Sequence, residues 1–253
     1  MILGVLQART SSSRLPGKVL KKIIGKPMIL HQIERIFKSK KIDKLIIATS
    51  INKDDDPLEL LAKEIDIDCY RGNLDNVLDR FYKAAISYHP THIVRLTGDC
   101  PLTDPEVIDQ TISFYLKGNF DYVSNSLEAT FPDGLDIEIF SFRSLKEAYE
   151  EAKLPSQLEH VTPFINRQTE RFKVGIYKHS SNLSHLRWTV DEPEDFQFVT
   201  EIYRALYPKT PDFKIEDILN LLDRNPDLLL INNRFKRNEG LQKSLNIDKQ
   251  YIL

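Results

Sequence analysis

Three cationic side chains lie close together in one short stretch near the start of the chain. Arg9, Arg14 and Lys18 belong to LQARTSSSRLPGK, residues 6–18, and the first carboxylate of the chain is Glu34. The cations could neutralise an anion, and the serines and glycine leave backbone N–H groups free to wrap it. The alternative is a solvated basic loop on an ordinary surface. The stretch therefore predicts either a polyphosphate site or a basic surface loop.

This stretch matches neither of two common glycine-rich phosphate motifs. Lys18 is followed by Val19, and position 12 is a serine where the Walker A motif needs glycine. The stretch also lacks the spacing of a G-x-G-x-x-G turn. Phosphate binding is thus predicted from charge and free backbone N–H groups.

Two aspartates follow apolar stretches much later in the chain. Asp99 lies in TGDCPLTDP just after a predicted strand, and Asp191 follows a predicted strand at Arg187–Val190. The carboxyl ends of parallel strands share one sheet edge, so both should lie beside residues 9–18. Carboxylate oxygens suit Mg²⁺, which binds substrate phosphates through one or two carboxylates. The alternatives are a tight-turn residue at 99 and a helix N-cap at Asp191 or Glu192.

A second acidic group could contact a substrate. In FPDGLDIEIF, acidic and apolar residues alternate, which predicts a strand with one acidic face, either exposed or substrate-facing. QLEHVTPFI carries a Glu-His pair on a predicted short helix. The candidates for the acceptor side of the site are Asp133, Asp136, Glu138, Glu159 and His160.

Apolar strands alternate with amphipathic helices along the chain. This alternation predicts an α/β fold with a mostly parallel, Rossmann-like sheet flanked by helices. Pro27 is expected at position N1 of the first helix, and Asn73 or Asp75 at a later N-cap. Residues 172–177 are expected to form a strand. One domain is predicted over 1–206, with an arm at about 125–180, and a helical extension over 207–253.

Bulk properties limit the class of protein. The chain has 253 residues and a net charge of −2, so it carries no global basic field for nucleic acid. No apolar run approaches the roughly 20 residues of a membrane span. Cys69 and Cys100 form neither a metal spacing nor a disulfide framework. A cytoplasmic protein that binds neither nucleic acid nor membrane is expected.

The motif QARTSSSRLPGKVL closely resembles the signature loop of the CMP-sugar synthetases, which are the acylneuraminate cytidylyltransferases and their spore-coat polysaccharide relatives. LTGDCPLTDP and TVDEPED resemble the family segments that carry metal-binding aspartates, and RGNLDNVLDRF resembles a stretch near the nucleotide. The likeness runs from Ile2 to about Leu206. It implies a GT-A-like nucleotidyltransferase fold.

The resemblance also implies an activity. This is the Mg²⁺-dependent joining of CMP from CTP to a sugar, most simply a nonulosonic-type sugar acid, with release of pyrophosphate, in surface polysaccharide biosynthesis. The rivals are a nucleotidyltransferase that uses another nucleotide with a sugar 1-phosphate, a GT-A glycosyltransferase and a non-catalytic nucleotide-binding protein. A homodimer is compatible with the family, although no counterpart of its longer dimerisation element is identifiable.

Residue roles follow from the matched motifs. Asp99 and Asp191 are implied to bind Mg²⁺, and Arg9, Arg14, Lys18 and Asp99 to be catalytic. No motif identifies a side chain that binds the base, and Arg71 and the backbone groups of residues 6–8 are equal candidates for this role. The full implied nucleotide-binding set is Leu6, Gln7, Ala8, Arg9, Ser13, Arg14, Lys18 and Arg71.

Overall fold

The computed structural model describes residues 1–235, 237 and 239–251. This part of the chain contains nine strands and ten α-helices. The strands are β1 (Ile2–Gln7), β2 (Lys22–Ile23), β3 (Lys26–Pro27), β4 (Lys44–Ser50), β5 (Cys69–Gly72), β6 (His92–Thr97), β7 (Tyr122–Ser124), β8 (Glu138–Ser141) and β9 (Val174–Ile176). The helices are α1 (Met28–Ile36), α2 (Asp56–Glu64), α3 (Val77–Ile86), α4 (Pro105–Gly118), α5 (Phe142–Glu151), α6 (Pro155–His160), α7 (Pro163–Asn166), α8 (Pro193–Leu206), α9 (Ile215–Arg224) and α10 (Glu239–Asp248).

Seven strands form one sheet in the order β5-β4-β1-β6-β8-β7-β9. Strands β5, β4, β1 and β6 are parallel, and β8 pairs antiparallel with both β6 and β7. Because β7 and β9 are parallel, β8 is the one reversed strand of this sheet. The predicted mostly parallel α/β sheet is confirmed.

Apolar cores lie on both faces of the sheet, as the predicted strand–helix alternation requires. On β1, Leu3 and Val5 join the core beneath α3 and α5, whereas Leu6 joins the core beneath α1, α4 and α8. Neighbouring side chains of a strand point to opposite faces, so a strand buried on both sides is apolar throughout. Each core residue therefore helps to fix the edge at which β1 and β6 end.

Two glycines let segments approach closely at that edge. Gly98 follows β6 and donates a backbone hydrogen bond to Gln7 (2.8 Å), and an added Cβ would lie 2.9 Å from the Cβ of Ala8. Gly134 has φ of 104°, and an added Cβ would lie 2.4 Å from the backbone nitrogen of Thr189. Larger residues would push these segments apart, because real Cβ atoms do not approach so closely.

Several local predictions are corrected. Pro27 ends β3 rather than starting α1, because it pairs with Lys22 in a short hairpin. The N-cap of α3 is Asn76, whose side chain accepts from the Asp79 backbone (2.9 Å). Asn73 instead accepts from the backbone nitrogens of residues 75 and 76 and closes a turn.

Two predicted strands also differ from the structure. The strand expected at 172–177 is shorter, Val174–Ile176. Residues 187–190 form no sheet strand: Arg187 makes one isolated bridge with Asp133, and the Val190 backbone nitrogen donates to the carbonyl of Asp99 (2.8 Å). This segment is therefore tied to the edge of the sheet rather than incorporated in it.

The later part of the chain adds helices α9 and α10 after α8, and α10 packs against α6. Residues 252 and 253 lie outside the described residues. None of the described helices is both long and apolar enough to cross a membrane. The division at residue 206 and the arm at about 125–180 stay predictions.

Candidate active site

A cavity of about 1060 Å³ opens at the edge where β1 and β6 end. Most of the predicted site residues line it: Gln7, Ala8, Arg9, Ser13, Arg14, Lys18, Asp99, Asp133, Asp136, Glu138, Glu159, His160 and Asp191. The three separate sequence regions at 9–18, 99 and 191 thus meet in one cavity.

Lys18 lies where the basic loop meets the two aspartates. Its Nζ donates to Oδ1 of Asp191 (2.8 Å), Oδ2 of Asp99 (3.4 Å) and the carbonyl of Val190 (2.7 Å). Gly17 allows this approach through a left-handed backbone conformation, with φ of 67°. Burial alone would lower the pKa of Lys18, but the charges of Asp99 and Asp191 more than offset it and the pKa is raised. The ammonium group therefore stays charged beside both carboxylates.

The carboxyl group of Asp99 is stabilised as an anion. Burial would raise its pKa, but the Lys18 charge and the Thr97 and Cys100 side chains act the other way, so the pKa is lowered. The N-cap position of α8 belongs to Glu192, not to Asp191. The Asp191 carboxyl group is therefore free of a capping role and faces the cations.

Arg14 extends this charge cluster towards solvent. Its guanidinium contacts Oδ2 of Asp191 (3.1 Å) and Oε1 of Glu192 (3.0 Å), and 41% of its side chain is exposed. Arg9 is exposed and lines the same cavity. These two arginines can reorient towards an anion, since an exposed ion pair contributes little stability.

Asp55 anchors the basic loop, a role that the sequence interpretation did not assign. Its buried carboxylate accepts from the backbone nitrogen (2.7 Å) and hydroxyl (2.9 Å) of Thr10. It also accepts from the backbone (3.2 Å) and hydroxyl (2.5 Å) of Ser50 at the end of β4. The run Asp54–Asp56 offers three adjacent carboxylates, and no local pattern distinguishes the one that turns inward.

Arg187 is a second residue that sequence reasoning did not assign. Its guanidinium donates to both carboxylate oxygens of the fully buried Asp195 (2.9 and 2.8 Å). It also contacts Asp133 (3.1 Å) and Asp191 (3.5 Å). Asp195 in turn accepts from the backbone nitrogen of Asp191 (3.0 Å). Arg187 therefore positions one carboxylate from each side of the cavity.

The donor set near Lys18 fits a hard divalent cation only in part. Asp99 and Asp191 supply carboxylate oxygens within reach of one ammonium group. Within residues 1–235, 237 and 239–251, no cluster of three or more His, Cys, Asp or Glu could hold a metal ion. Mg²⁺ is commonly bound by one or two carboxylates together with waters and substrate phosphates. The pair fits Mg²⁺ provided that a phosphate completes the site.

The acidic end of the cavity is partly neutralised by arginines. Arg237 contacts both Asp136 and Asp133, and Arg95 pairs with Glu138. Burial raises the pKa of Asp136 to about 7, because the opposing effect of Arg237 is offset by neighbouring carboxylates. The Asp136 carboxyl group is thus less acidic than an ordinary aspartate. It lies before β8, which begins only at Glu138, so the predicted acidic strand is shorter than expected.

Helix α10 forms the outer wall of this end. Gly240, Leu241 and Gln242 line the cavity together with residues of α6. Ser244 donates to Glu159 (2.6 Å) and lies 3.0 Å from Nε2 of His160. The predicted acceptor residues Glu159 and His160 therefore hold the C-terminal helix as well as lining the cavity.

Two predicted nucleotide-binding residues are absent from the described cavity lining. Leu6 is fully buried in the core between the sheet and its helices. Arg71 bonds the carbonyls of Ser50 (3.0 Å) and Asn52 (2.8 Å) and pairs with Asp56 and Glu59. Its donors bond acceptors around the end of β5 and on α2, and the assignment of Arg71 to the base stays a prediction.

Comparisons with known proteins bear on the family and the fold of this chain. A sequence model of the family described as Cytidylyltransferase matches residues 3–234. The chain is 33% identical to spore coat polysaccharide biosynthesis protein SpsF of Bacillus subtilis over 233 residues, which is 89% of this chain and 95% of SpsF. It is 38% identical over 113 residues to 3-deoxy-manno-octulosonate cytidylyltransferase of Pelobacter propionicus, 44% of this chain and 43% of that protein. Among solved structures, a cytidylyltransferase from Leptospira borgpetersenii superposes with a TM-score of 0.87 at 29% identity, covering 93% of this chain and 99% of that one.

Proposed function

Because the chain belongs to the cytidylyltransferase family, we propose that it joins CMP from CTP to a hydroxyl of a sugar acid and releases pyrophosphate. The proposal includes a requirement for Mg²⁺ and a role in surface polysaccharide biosynthesis. It also includes a cytoplasmic location, where CTP is available and the free thiols of Cys69 and Cys100 would stay reduced.

One observation carries this proposal: the Lys18 ammonium lies between Asp99 and Asp191 at the wall of a cavity that also contains Arg9 and Arg14. A nucleoside triphosphate needs cations to neutralise its phosphates and oxygen ligands to hold its metal ion. Both kinds of group occur at this sheet edge, where α/β folds place their ligands. The lysines of an ordinary surface loop are solvated, whereas Lys18 is buried against two carboxylates.

The transfer exchanges one phosphorus–oxygen bond for another. The acceptor hydroxyl oxygen attacks the α-phosphorus of CTP, and the bond to the β-phosphate oxygen breaks, so pyrophosphate leaves with that electron pair. Arg9, Arg14 and Lys18 stabilise the negative charge on the departing pyrophosphate. The Asp99 and Asp191 carboxylates would hold Mg²⁺, which when bound supplies charge neutralisation at the phosphates. The chain otherwise contributes alignment of the two substrates.

The hydroxyl proton needs an acceptor in the cavity. Asp136 is the strongest candidate because burial raises its pKa to about 7, which suits proton transfer near neutral pH. Asp133 and Glu138 remain further candidates on the same wall. Positions 133, 136 and 138 therefore form the proposed acceptor side, together with Glu159 and His160.

A sugar acid suits the cationic groups at this end. Arg167 and Arg95, the latter paired with Glu138, line the same cavity, and a guanidinium can bind a carboxylate. The similarity to SpsF and to a 3-deoxy-manno-octulosonate cytidylyltransferase supports a polysaccharide precursor as the acceptor class. A homodimer stays a prediction that light scattering would check.

The test is a screen of sugar acids with CTP and Mg²⁺, with pyrophosphate as the readout. We expect release that depends on both an acid and CTP, and a product containing CMP. Equal activity with UTP or GTP and a sugar 1-phosphate would favour another nucleotidyltransferase. A glycosyltransferase would release no pyrophosphate, and a nucleotide-binding scaffold would bind CTP without turnover.

A further inference from the structure

Gly240 lies in the first turn of helix α10 and lines the cavity. A glycine is needed where the backbone is left-handed, where another segment packs closely, or where a ligand comes close to the backbone. Of the nine glycines of the chain, the other eight each have a φ between 67° and 104° or an atom within 3.0 Å of an added Cβ. Gly240 has neither. Its φ is not left-handed, and apart from the adjoining backbone no heavy atom of the described residues lies within 4 Å of an added Cβ.

Helix propensity does not explain this glycine either. Glycine is the weakest helix former apart from proline, so alanine would stabilise the helix better. Residues 240, 241 and 242 all line the cavity. Because successive residues of a helix are turned by about 100°, the end of α10 rather than one of its sides meets the cavity. The open space at Gly240 is therefore cavity space, and the approach of a ligand is the remaining reason for the missing side chain.

Contacts on either side of Gly240 place it at the acceptor end of the cavity. Three residues earlier, Arg237 pairs with Asp136, and three residues of chain span at most about 11 Å. One helical turn later, the Ser244 hydroxyl donates to Glu159 (2.6 Å). Gly240 thus lies between the two groups of residues that form the proposed acceptor side.

The groups around this space suit a ligand that is rich in hydroxyl groups. Gln242 is exposed and lines the cavity, and no described residue forms a hydrogen bond with its side chain. An amide group can both donate to and accept from a hydroxyl group. Glu159 and His160 line the same cavity from α6. A polyphosphate needs cations instead, and the basic loop 9–18 provides them at the other end of the site.

We propose that Gly240 is a specificity-determining residue for the acceptor, and that its missing side chain leaves room for the acceptor sugar against the first turn of α10. The inference rests on the proposed function, because it assumes that a sugar is the acceptor. The match to the family model ends at residue 234, so α10 lies outside the part of the chain that carries residues 9–18, Asp99 and Asp191. A contact from α10 can therefore change the choice of acceptor without changing the groups that bind CTP.

The test fills the space in two steps, with Gly240→Ala and Gly240→Leu. Initial rates of pyrophosphate release are measured with saturating CTP and Mg²⁺ against the sugar acids of the screen, beginning with 3-deoxy-manno-octulosonate. The KM for the acid should rise by about threefold in Gly240→Ala and by about 100-fold in Gly240→Leu, because side-chain atoms would occupy the place of the sugar. The Kd for CTP, measured by calorimetry, should change by less than about threefold, because the phosphate-binding groups are distant and unaltered.

Controls separate a blocked acceptor site from a displaced helix. Asn246→Leu is the matched variant, since Asn246 is exposed on the same helix and absent from the described cavity lining, and it should leave both constants unchanged. Both Gly240 variants should fold, because an added Cβ meets no neighbour and both new residues are better helix formers than glycine. Hydrogen exchange of residues 240–248 should be no faster in Gly240→Leu than in the wild-type chain.

Three results would overturn the inference. The first is an unchanged KM for the acid in both Gly240 variants. The second is faster exchange of α10 together with a raised KM, which would assign the effect to lost docking of the helix. The third is a loss of CTP affinity as large as the rise in KM, which would place the nucleotide against α10. If no sugar acid of the screen supports pyrophosphate release by the wild-type chain, the proposed function itself fails, and this inference with it.

Discussion

The Nζ atom of Lys18 lies 2.8 Å from Oδ1 of Asp191, a residue 173 positions away in the chain. This contact joins the loop after β1 to the segment before α8. The same ammonium group reaches Asp99 after β6, so the contact brings three separate regions to one point. Five predictions test the site built around it and the contacts that support it.

Replacing Lys18 by Met should reduce pyrophosphate release by about 10²–10³-fold, because the charge that stabilises the leaving group is lost. The measurement is the initial rate with CTP, Mg²⁺ and the acceptor found by the screen. Lys22→Ala is the matched control, since Lys22 is exposed on the same basic segment. Near-normal turnover by a folded Lys18→Met variant would refute the assigned role.

Replacing Asp99 or Asp191 by Asn should raise the Mg²⁺ concentration for half-maximal rate by about 10–100-fold, because an anionic ligand is lost. A Mg²⁺ titration of the initial rate measures this, and EDTA should abolish wild-type turnover. Asp223→Asn is the control, since Asp223 is exposed on α9. An unchanged Mg²⁺ dependence in both site variants would count against the metal assignment.

Replacing Asp55 by Asn should lower the free energy of unfolding by about 2 kcal/mol at pH 7, because an ionised acceptor of several buried hydrogen bonds is lost. Burial would raise the pKa of Asp55, but its bonds from Ser50 and Thr10 outweigh this and the pKa is lowered. Its stabilisation is therefore present above the ordinary aspartate pKa and lost as pH falls through the lowered value.

Urea unfolding at neutral and acidic pH checks this sign. The difference between wild type and Asp55→Asn should shrink on acidification, whereas Asp54→Asn, at an exposed position, should change little at either pH. A difference that grew on acidification would contradict the assignment.

Replacing Arg187 by Lys should lower the free energy of unfolding by about 3 kcal/mol, because an ammonium group cannot donate to both carboxylate oxygens of the buried Asp195 as a guanidinium does. CTP turnover should also fall, since Asp133 and Asp191 lose a common partner. Urea unfolding and the pyrophosphate assay measure the two effects. Arg204→Lys, in an exposed pair with Glu201, should cost less than about 0.5 kcal/mol.

Replacing Asp248 by Ala should loosen helix α10. Its buried carboxylate accepts from the backbone nitrogen (2.9 Å) and hydroxyl (2.5 Å) of Ser156, so this change removes two of the contacts that dock α10 on α6. Hydrogen exchange of residues 240–248 should accelerate while exchange in the sheet stays unchanged. CTP affinity should persist and the KM for the acceptor should rise. Lys249→Ala is the exposed control, and unchanged exchange in Asp248→Ala would contradict the prediction.

Sequence patterns were most informative where they were local or periodic. The alternation of apolar strands and amphipathic helices predicted a mostly parallel sheet, and the sheet is confirmed. Burial on both faces leaves a continuous apolar signature that needs no knowledge of partners. Boundaries were weaker: the N-cap of α3 shifted to Asn76, because several residues that could cap were adjacent and tertiary contacts selected one.

The sequence alone determined which residue types could bind a phosphate and a metal ion. Side-chain charge and hydrogen-bonding capacity follow from residue type, and the strand ends follow from the pattern of apolar residues. Only the tertiary structure decided how they are used. It turned Asp55 inward beneath Thr10, placed Arg187 between Asp133 and Asp191, and tied Arg71 of β5 to helix α2. The physical reason is that these partners are distant in the chain. No local sequence pattern determines which buried charged side chains will pair with each other.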